Sequence, residues 1–176
     1  LAEEPGGLVS YSGQFRLTLT EKEVRTALDR IQEYFNSYRD NMAIREINRL
    51  LNSNAHASVK QKALLLTDYI QEPTFSDMKD NFAYAEVSDR PWLYTDCYVR
   101  WRGRISNLNI GSREITFDLL VGYETEQVLE GVVPVSLNFA TDLQPGQSVE
   151  VIGRVVGEDR LQRIEGVSIR LIRPQN

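Results

Sequence analysis

The chain has one cysteine, Cys97, and one histidine, His56. A single thiol excludes an internal disulfide and a thiolate metal cluster. A single imidazole excludes a histidine-rich metal site and leaves a histidine-based triad unsupported. The setting Asn54-Ala55-His56-Ala57 suits a loop or a helix entry. No apolar run approaches the ~18 residues that cross a bilayer, and the longest cluster, Ala63 to Leu66, is core-helix material. Walker, Gly-x-Gly-x-x-Gly, Gly-x-Ser-x-Gly and calcium-loop patterns are absent. Carboxylate pairs occur at Glu3-Glu4, Glu124/Glu126 and Glu158-Asp159. They fall in a tail or in turns, where solvent keeps both members ionised and unfit for acid and base work. The expectation is a protein that is not an enzyme and needs no cofactor or metal.

Positive charge is also short: 20 basic residues face 25 acidic ones. After Thr95 there are nine arginines, no lysine and eleven acidic residues. Phosphate neutralisation supplies most of the affinity of a generic nucleic-acid binder, so this balance disfavours nucleic acid as a partner. What is present is an ordinary soluble composition, 41% hydrophobic and 26% charged, over 176 residues. That length holds one good domain or two small ones. Leu1 to Gly7 reads as the start of a flexible lead-in over 1–19, of the kind that follows a cleaved signal or a lipid-anchored start, or as an arbitrary truncation. The first of these readings leans toward a periplasmic or lipid-anchored place in a bacterial envelope.

Three amphipathic helices are legible over 20–72. Thr20 and Glu23 form a capping box, and Val24, Leu28, Ile31 and Phe35 then recur at helical spacing. A second helix spans about Arg39 to Leu51, with Ile44, Ile47 and Leu51 on one face. After Asn52 to Ala57, a third starts beyond Ser58, carries Val59, Ala63, Leu66 and Ile70, and ends before Pro73. Short links imply antiparallel neighbours, so the last two helices make a hairpin within a three-helix unit. In length and loop this hairpin resembles one TPR- or HEAT-type repeat, although the TPR consensus and a second copy are missing.

Residues 73–95 hold Phe75, Met78, Phe82 and Tyr84, too apolar for a solvated linker, and are expected to pack as a connector with Trp92 as a plug. Five strands follow over 96–173. Val99, Trp101, Gly103 and Ile105 alternate with Arg100, Arg102 and Arg104. A turn over Asn107 to Ser112 leads to Ile115, Phe117, Leu119 and Val121. Val132 to Leu137 carries Pro134, the mark of an edge or a bulge. Pro145-Gly146 turns into Val149, Val151 and Val155, and the fifth strand presents Val167, Ile169 and Leu171 inward.

Trp101-Arg-Gly-Arg-Ile-Ser106, the Phe117 strand and Leu143-Gln-Pro-Gly-Gln-Ser-Val-Glu-Val-Ile-Gly-Arg-Val155 together resemble the OB-fold superfamily, in particular the small bacterial OB domains and the anticodon-binding-like barrels. The resemblance implies an α+β chain: a helical unit followed by a five-stranded antiparallel OB-type barrel. Only Asn138 to Leu143 is available where many OB domains place a helix between strands three and four.

Arg100, Arg102 and Arg104, with Tyr98, share the outer side of strand one at about 7 Å spacing, near a phosphate repeat. They are the candidate ligand site, joined by Arg113 and Arg160 in the strand 1–2 and 4–5 loops that flank the binding face of OB barrels. The competing interpretation is a salt-bridged exterior with partners among Asp118, Glu150 and Glu165. Neither loop holds an aromatic to stack a base. The leading expectation is therefore a non-catalytic adaptor that binds another protein in a bacterial envelope. The alternative is a single-stranded nucleic-acid or polyanion module built on the strand-one arginines. A third option, a glycan module, has only Trp92, Trp101 and the tyrosines for stacking.

Overall fold

A computed structural model describes residues 15–173. The chain divides into two compact units, with the break between Gln71 and Glu72. The expected lead-in lies outside the described residues up to residue 14. Its last residues belong to the helical unit: Leu17 N–H donates to the Asn52 carbonyl at 3.1 Å, and Leu19 is buried.

The helical unit packs α1 (Glu21–Asn36), α2 (Asp40–Leu51) and α3 (Ala57–Leu66) about one core. Ala27 and Ile31, Ala43, Ile47 and Leu50, and Ala63 are its buried members from the three helices. Thr20 caps α1: its hydroxyl accepts from Glu23 N–H at 3.1 Å and donates to the Glu23 carboxylate at 3.2 Å. The third helix begins one residue before Ser58 and without a side-chain cap. Upstream, Asn54 accepts from Leu19 N–H at 2.7 Å and the Ser53 hydroxyl donates to the Leu50 carbonyl at 2.7 Å, which ties the loop to the helical unit. The helix also stops at Leu66, well before Pro73, and passes into a 3-10 turn over Thr67–Tyr69. His56 stands at the helix entry.

In the second unit, residues 72–97 contain α4 (Tyr84–Asp89) and α5 (Pro91–Tyr94). Trp101 Nε1 donates to the Phe82 carbonyl at 2.8 Å, and its ring meets Tyr84 edge-on at 5.3 Å. The Phe82 and Tyr94 rings, both buried, meet at a 59° tilt with centroids 4.8 Å apart. Trp92 is only half-buried, so the plug is Phe82 with Tyr94 and Val87. At Gly131 a Cβ would stand 2.3 Å from the Tyr84 ring, so the glycine makes room for it.

Strands β1 (Tyr98–Ile110), β2 (Ile115–Val121), β3 (Gly131–Leu137), β4 (Ser148–Val156) and β5 (Arg163–Leu171) close in the order β1-β2-β3-β5-β4. This is an OB barrel in an α+β chain, with one correction to the expected antiparallel arrangement. β3 and β5 run parallel over Val135–Ile164, Ser136–Glu165 and Leu137–Gly166. Five strands cannot alternate in direction around a closed ring, so at least one neighbouring pair must be parallel. Pro134 falls on β3 just before that pairing starts, where its missing N–H costs no ladder bond to β5.

Two other expectations shift with the register. β1 runs through the expected turn by a bulge at Ser106–Asn109, with Asn107 at φ 51°, so the turn is only Gly111 to Glu114. β5 bulges at Val167, because Ile152 pairs with Ser168 while Gly153 pairs with Gly166. The extra residue changes which side chains face inward: Ile164 and Gly166 are buried, Val167 and Ile169 are half-buried, and Leu171 is 52% exposed. No helix lies between β3 and β4, as the short Asn138–Leu143 segment requires. No described helix is long and apolar enough to cross a membrane.

Candidate functional site

The four even-numbered residues of β1 from Tyr98 to Arg104 point away from the core, because Val99, Trp101, Gly103 and Ile105 fill the inside. Register then decides what they meet. Arg102 pairs with Glu150 on β4, and Glu150 pairs with Arg170 on β5. Arg102 Nε donates to Glu150 Oε2 at 3.0 Å, Arg170 Nε to Oε1 at 2.8 Å and Arg100 Nη2 to Oε1 at 3.2 Å. Glu150 is on the outer side of its strand yet only 4% exposed. Burial alone would push its carboxyl up, but the hydrogen bonds from Arg100, Arg102 and Arg170 outweigh it and hold the pKa at about 2.

Phe75 completes this cluster. The Arg100 and Arg170 guanidinium carbons lie 5.1 and 4.3 Å from its ring centroid, and Arg100 Nη1 donates to its carbonyl at 2.9 Å. Asn81 then binds the Arg100 backbone on both sides, accepting from its N–H at 2.8 Å and donating to its carbonyl at 2.7 Å. Arg100 therefore fastens the segment ahead of the barrel to the barrel wall. Arg104 stands apart from the cluster and pairs with Glu126 in the β2–β3 loop.

Tyr98, at the other end of the stripe, lines a separate groove of about 730 Å³ with Thr116, Ser136, Phe139, Arg154 and Glu165. Burial first, then the charge of Glu72, raises the pKa of its hydroxyl, and Arg154 opposes them only in part. Arg154 bridges Asp96 and Glu165, and Arg163 donates to Glu165 at 3.0 Å. Hydrogen bonds from Arg154 lead the causes that depress the Glu165 pKa. Arg113 is exposed in the β1–β2 turn and Arg160 in the β4–β5 turn, and neither lines this groove. The six candidate residues are thus spread over separate places, and only Arg100 and Arg102 share a partner. Of the partners expected for the stripe, Glu150 takes that role, Asp118 accepts from Asn107 at 2.8 Å and Glu165 holds Arg154 and Arg163. The sequence marks Phe75 only as a packed connector residue, not as the partner of Arg100 and Arg170, and gives no sign of Arg154, Arg163 or Arg170 as site residues. Strand alternation places Arg154 outward, but only the register shows which residues stand beside it.

Comparison with known proteins agrees with this barrel. Residues 76–170 match the family model described as the spirochaete C-terminal OB fold, and residues 7–67 match a domain of unknown function, DUF8514. No curated protein matches the chain. Similar solved structures include a replication protein A heterotrimer bound to ssDNA (14% identity, 44% of this chain and 58% of that one, TM-score 0.35). Others are the Stn1-Ten1 complex of S. pombe (15%, 44% and 59%, TM-score 0.34) and replication protein A of U. maydis bound to ssDNA (18%, 59% and 77%, TM-score 0.38). The chain thus spans 58% and 59% of the first two. With superpositions this loose, the family match, which covers more than half of the sequence, carries the assignment: the chain belongs to the spirochaete C-terminal OB-fold family.

Proposed function

We propose that this chain is a non-catalytic adaptor that binds another protein. The observation that carries the proposal is the exposed apolar end of α3 and the 3-10 turn after it. Ala63 faces the helical core, while Leu64 and Leu65 of α3 and Tyr69 of the turn are exposed, the last two 68% and 69%, with the Tyr69 ring 6.4 Å from that of Phe35. Large apolar side chains left exposed within six residues of one another are what a protein-binding surface presents, whereas isolated ones need no explanation. A photo-crosslinking residue placed at Leu65 or Tyr69 in cells is expected to trap a discrete protein partner, and one at exposed Lys22 on α1 is not. Equal trapping at both places, or none at Leu65 and Tyr69, overturns the proposal.

One observation favours the polyanion alternative. Three arginines share the single carboxylate of Glu150, which leaves two positive charges in excess, and the Arg102 side chain is 54% exposed. Against it, the same three guanidiniums are engaged by Glu150, and Arg104 is engaged by Glu126. A phosphate chain would have to compete with these carboxylates, and its binding would weaken steeply with salt.

A further inference from the structure

We propose that the groove beside Tyr98 binds an extended basic peptide segment of a partner protein, which deepens the adaptor reading and rests on it. A single row of register-matched residues crosses the barrel wall: Tyr98 pairs with Arg154, Arg154 with Glu165, Glu165 with Ser136 and Ser136 with Thr116. All five are half-buried and line the one groove. Strands lie about 4.8 Å apart, so four steps between five strands make a track of about 19 Å. An extended chain rises about 3.3 Å per residue, so about six residues fit along it. The walls offer hydroxyl groups at Thr116 and Ser136, an aromatic face at Phe139 and the Tyr98 ring. A peptide backbone uses such alternating donors, acceptors and apolar contacts.

Charge selects the occupant. The two cations that line the groove are already paired, Arg154 with Glu165 and with Asp96 outside the lining, and Arg163 with Glu165. Glu72 and Glu114 have no ion-pair partner among the described residues, and both are exposed. Glu72 acts on the Tyr98 hydroxyl, and Glu114 precedes β2 beside Thr116, so the two carboxylates sit toward opposite ends of the track. The charge left to a ligand is therefore negative. A polyanion meets these carboxylates with no uncommitted guanidinium in the groove. A neutral glycan leaves both carboxylates unpaired, whereas a peptide carrying lysine or arginine pairs with them.

The test uses the full chain labelled with 15N and three probes: an eight-residue peptide of alternating lysine and threonine, its glutamate-for-lysine counterpart, and octathymidylate. The lysine peptide is expected to shift the amide signals of Tyr98, Ser136 and Glu165. The double variant Glu72→Gln with Glu114→Gln should weaken it about fivefold, the scale of two exposed ion pairs. The glutamate peptide and octathymidylate should leave those signals unmoved. If the lysine peptide moves Leu64 and Leu65 but not the row, the groove assignment fails while the adaptor reading stands. If octathymidylate moves the row and no peptide does, both fail.

Discussion

Arg102 Nε stands 3.0 Å from Glu150 Oε2, across the β1–β4 pairing. Outward arginines at alternate positions look like a phosphate track, and here the neighbouring strand supplies the anion. Burial of the carboxylate makes the pairing matter, because removing one partner of a sequestered ion cluster leaves the others uncompensated.

Replacing Glu150 by Gln is expected to destabilise the barrel by about 2 kcal/mol, since three guanidiniums lose their common acceptor. Urea unfolding of Glu150→Gln, Arg102→Ser and the double variant checks this. The double variant should cost clearly less than the sum of the two single ones.

The acid limb of stability should carry the signature of the same residue. The folded pKa of Glu150, about 2, lies below its ordinary value of 4.5. Its contribution is therefore complete above pH 4.5 and is lost as pH falls from there through about 2. Glu165 is depressed in the same direction. Urea midpoints measured from neutral pH down to about pH 2.5 should fall in the wild type and fall less in Glu150→Gln.

Gly103 marks a close approach of backbones. A Cβ there would stand 2.3 Å from the Leu120 carbonyl oxygen, which cannot move without opening the β1–β2 ladder. Gly103→Ala is expected to cost more than about 2 kcal/mol in urea or thermal unfolding. Gly146 has open space around its Cβ direction but a φ of 82°, so Gly146→Ala should cost about 1 kcal/mol through backbone strain alone.

In the helical unit, Thr20→Ala removes the acceptor for Glu23 N–H and should lower stability by about 1 kcal/mol. Thr20→Asn, which keeps an acceptor at the cap, should restore most of it. Circular dichroism melting of both variants separates loss of the cap from a general loss of packing.

Much of this fold is legible because inward residues of a barrel obey a strict period of two. The alternations of Val99 to Ile105 and Ile115 to Val121 fix faces without any knowledge of partners. The capping box at Thr20 is equally local. Legibility fails where an extra residue changes the phase, as at Val167 and at Ser106–Asn109, because a bulge leaves no mark in composition. Parallel β3–β5 pairing follows from five strands closing a ring, and the closure, not any one strand's residues, dictates it. The candidate site depends on register still more. Glu150 is visible as an outward acid, but its neighbours Arg102 and Arg170 lie 48 and 20 residues away along the chain. The groove row draws one residue from each of five strands, so no sequence window contains it.

The β1 arginines are engaged by carboxylates, Arg100 and Arg102 by Glu150 and Arg104 by Glu126, and the proposed ligand is a protein rather than a polyanion. The most direct measurement is a fluorescence-anisotropy titration of the full chain with labelled single-stranded DNA and RNA at low salt, beside the variant with Arg100, Arg102 and Arg104 replaced by Ser. The account predicts no saturable binding of either probe up to roughly tens of micromolar, because the β1 arginines are already engaged by Glu150 and Glu126 and the chain as a whole is acidic. Saturable binding by the wild type that weakens steeply with salt and disappears in the triple variant would contradict it.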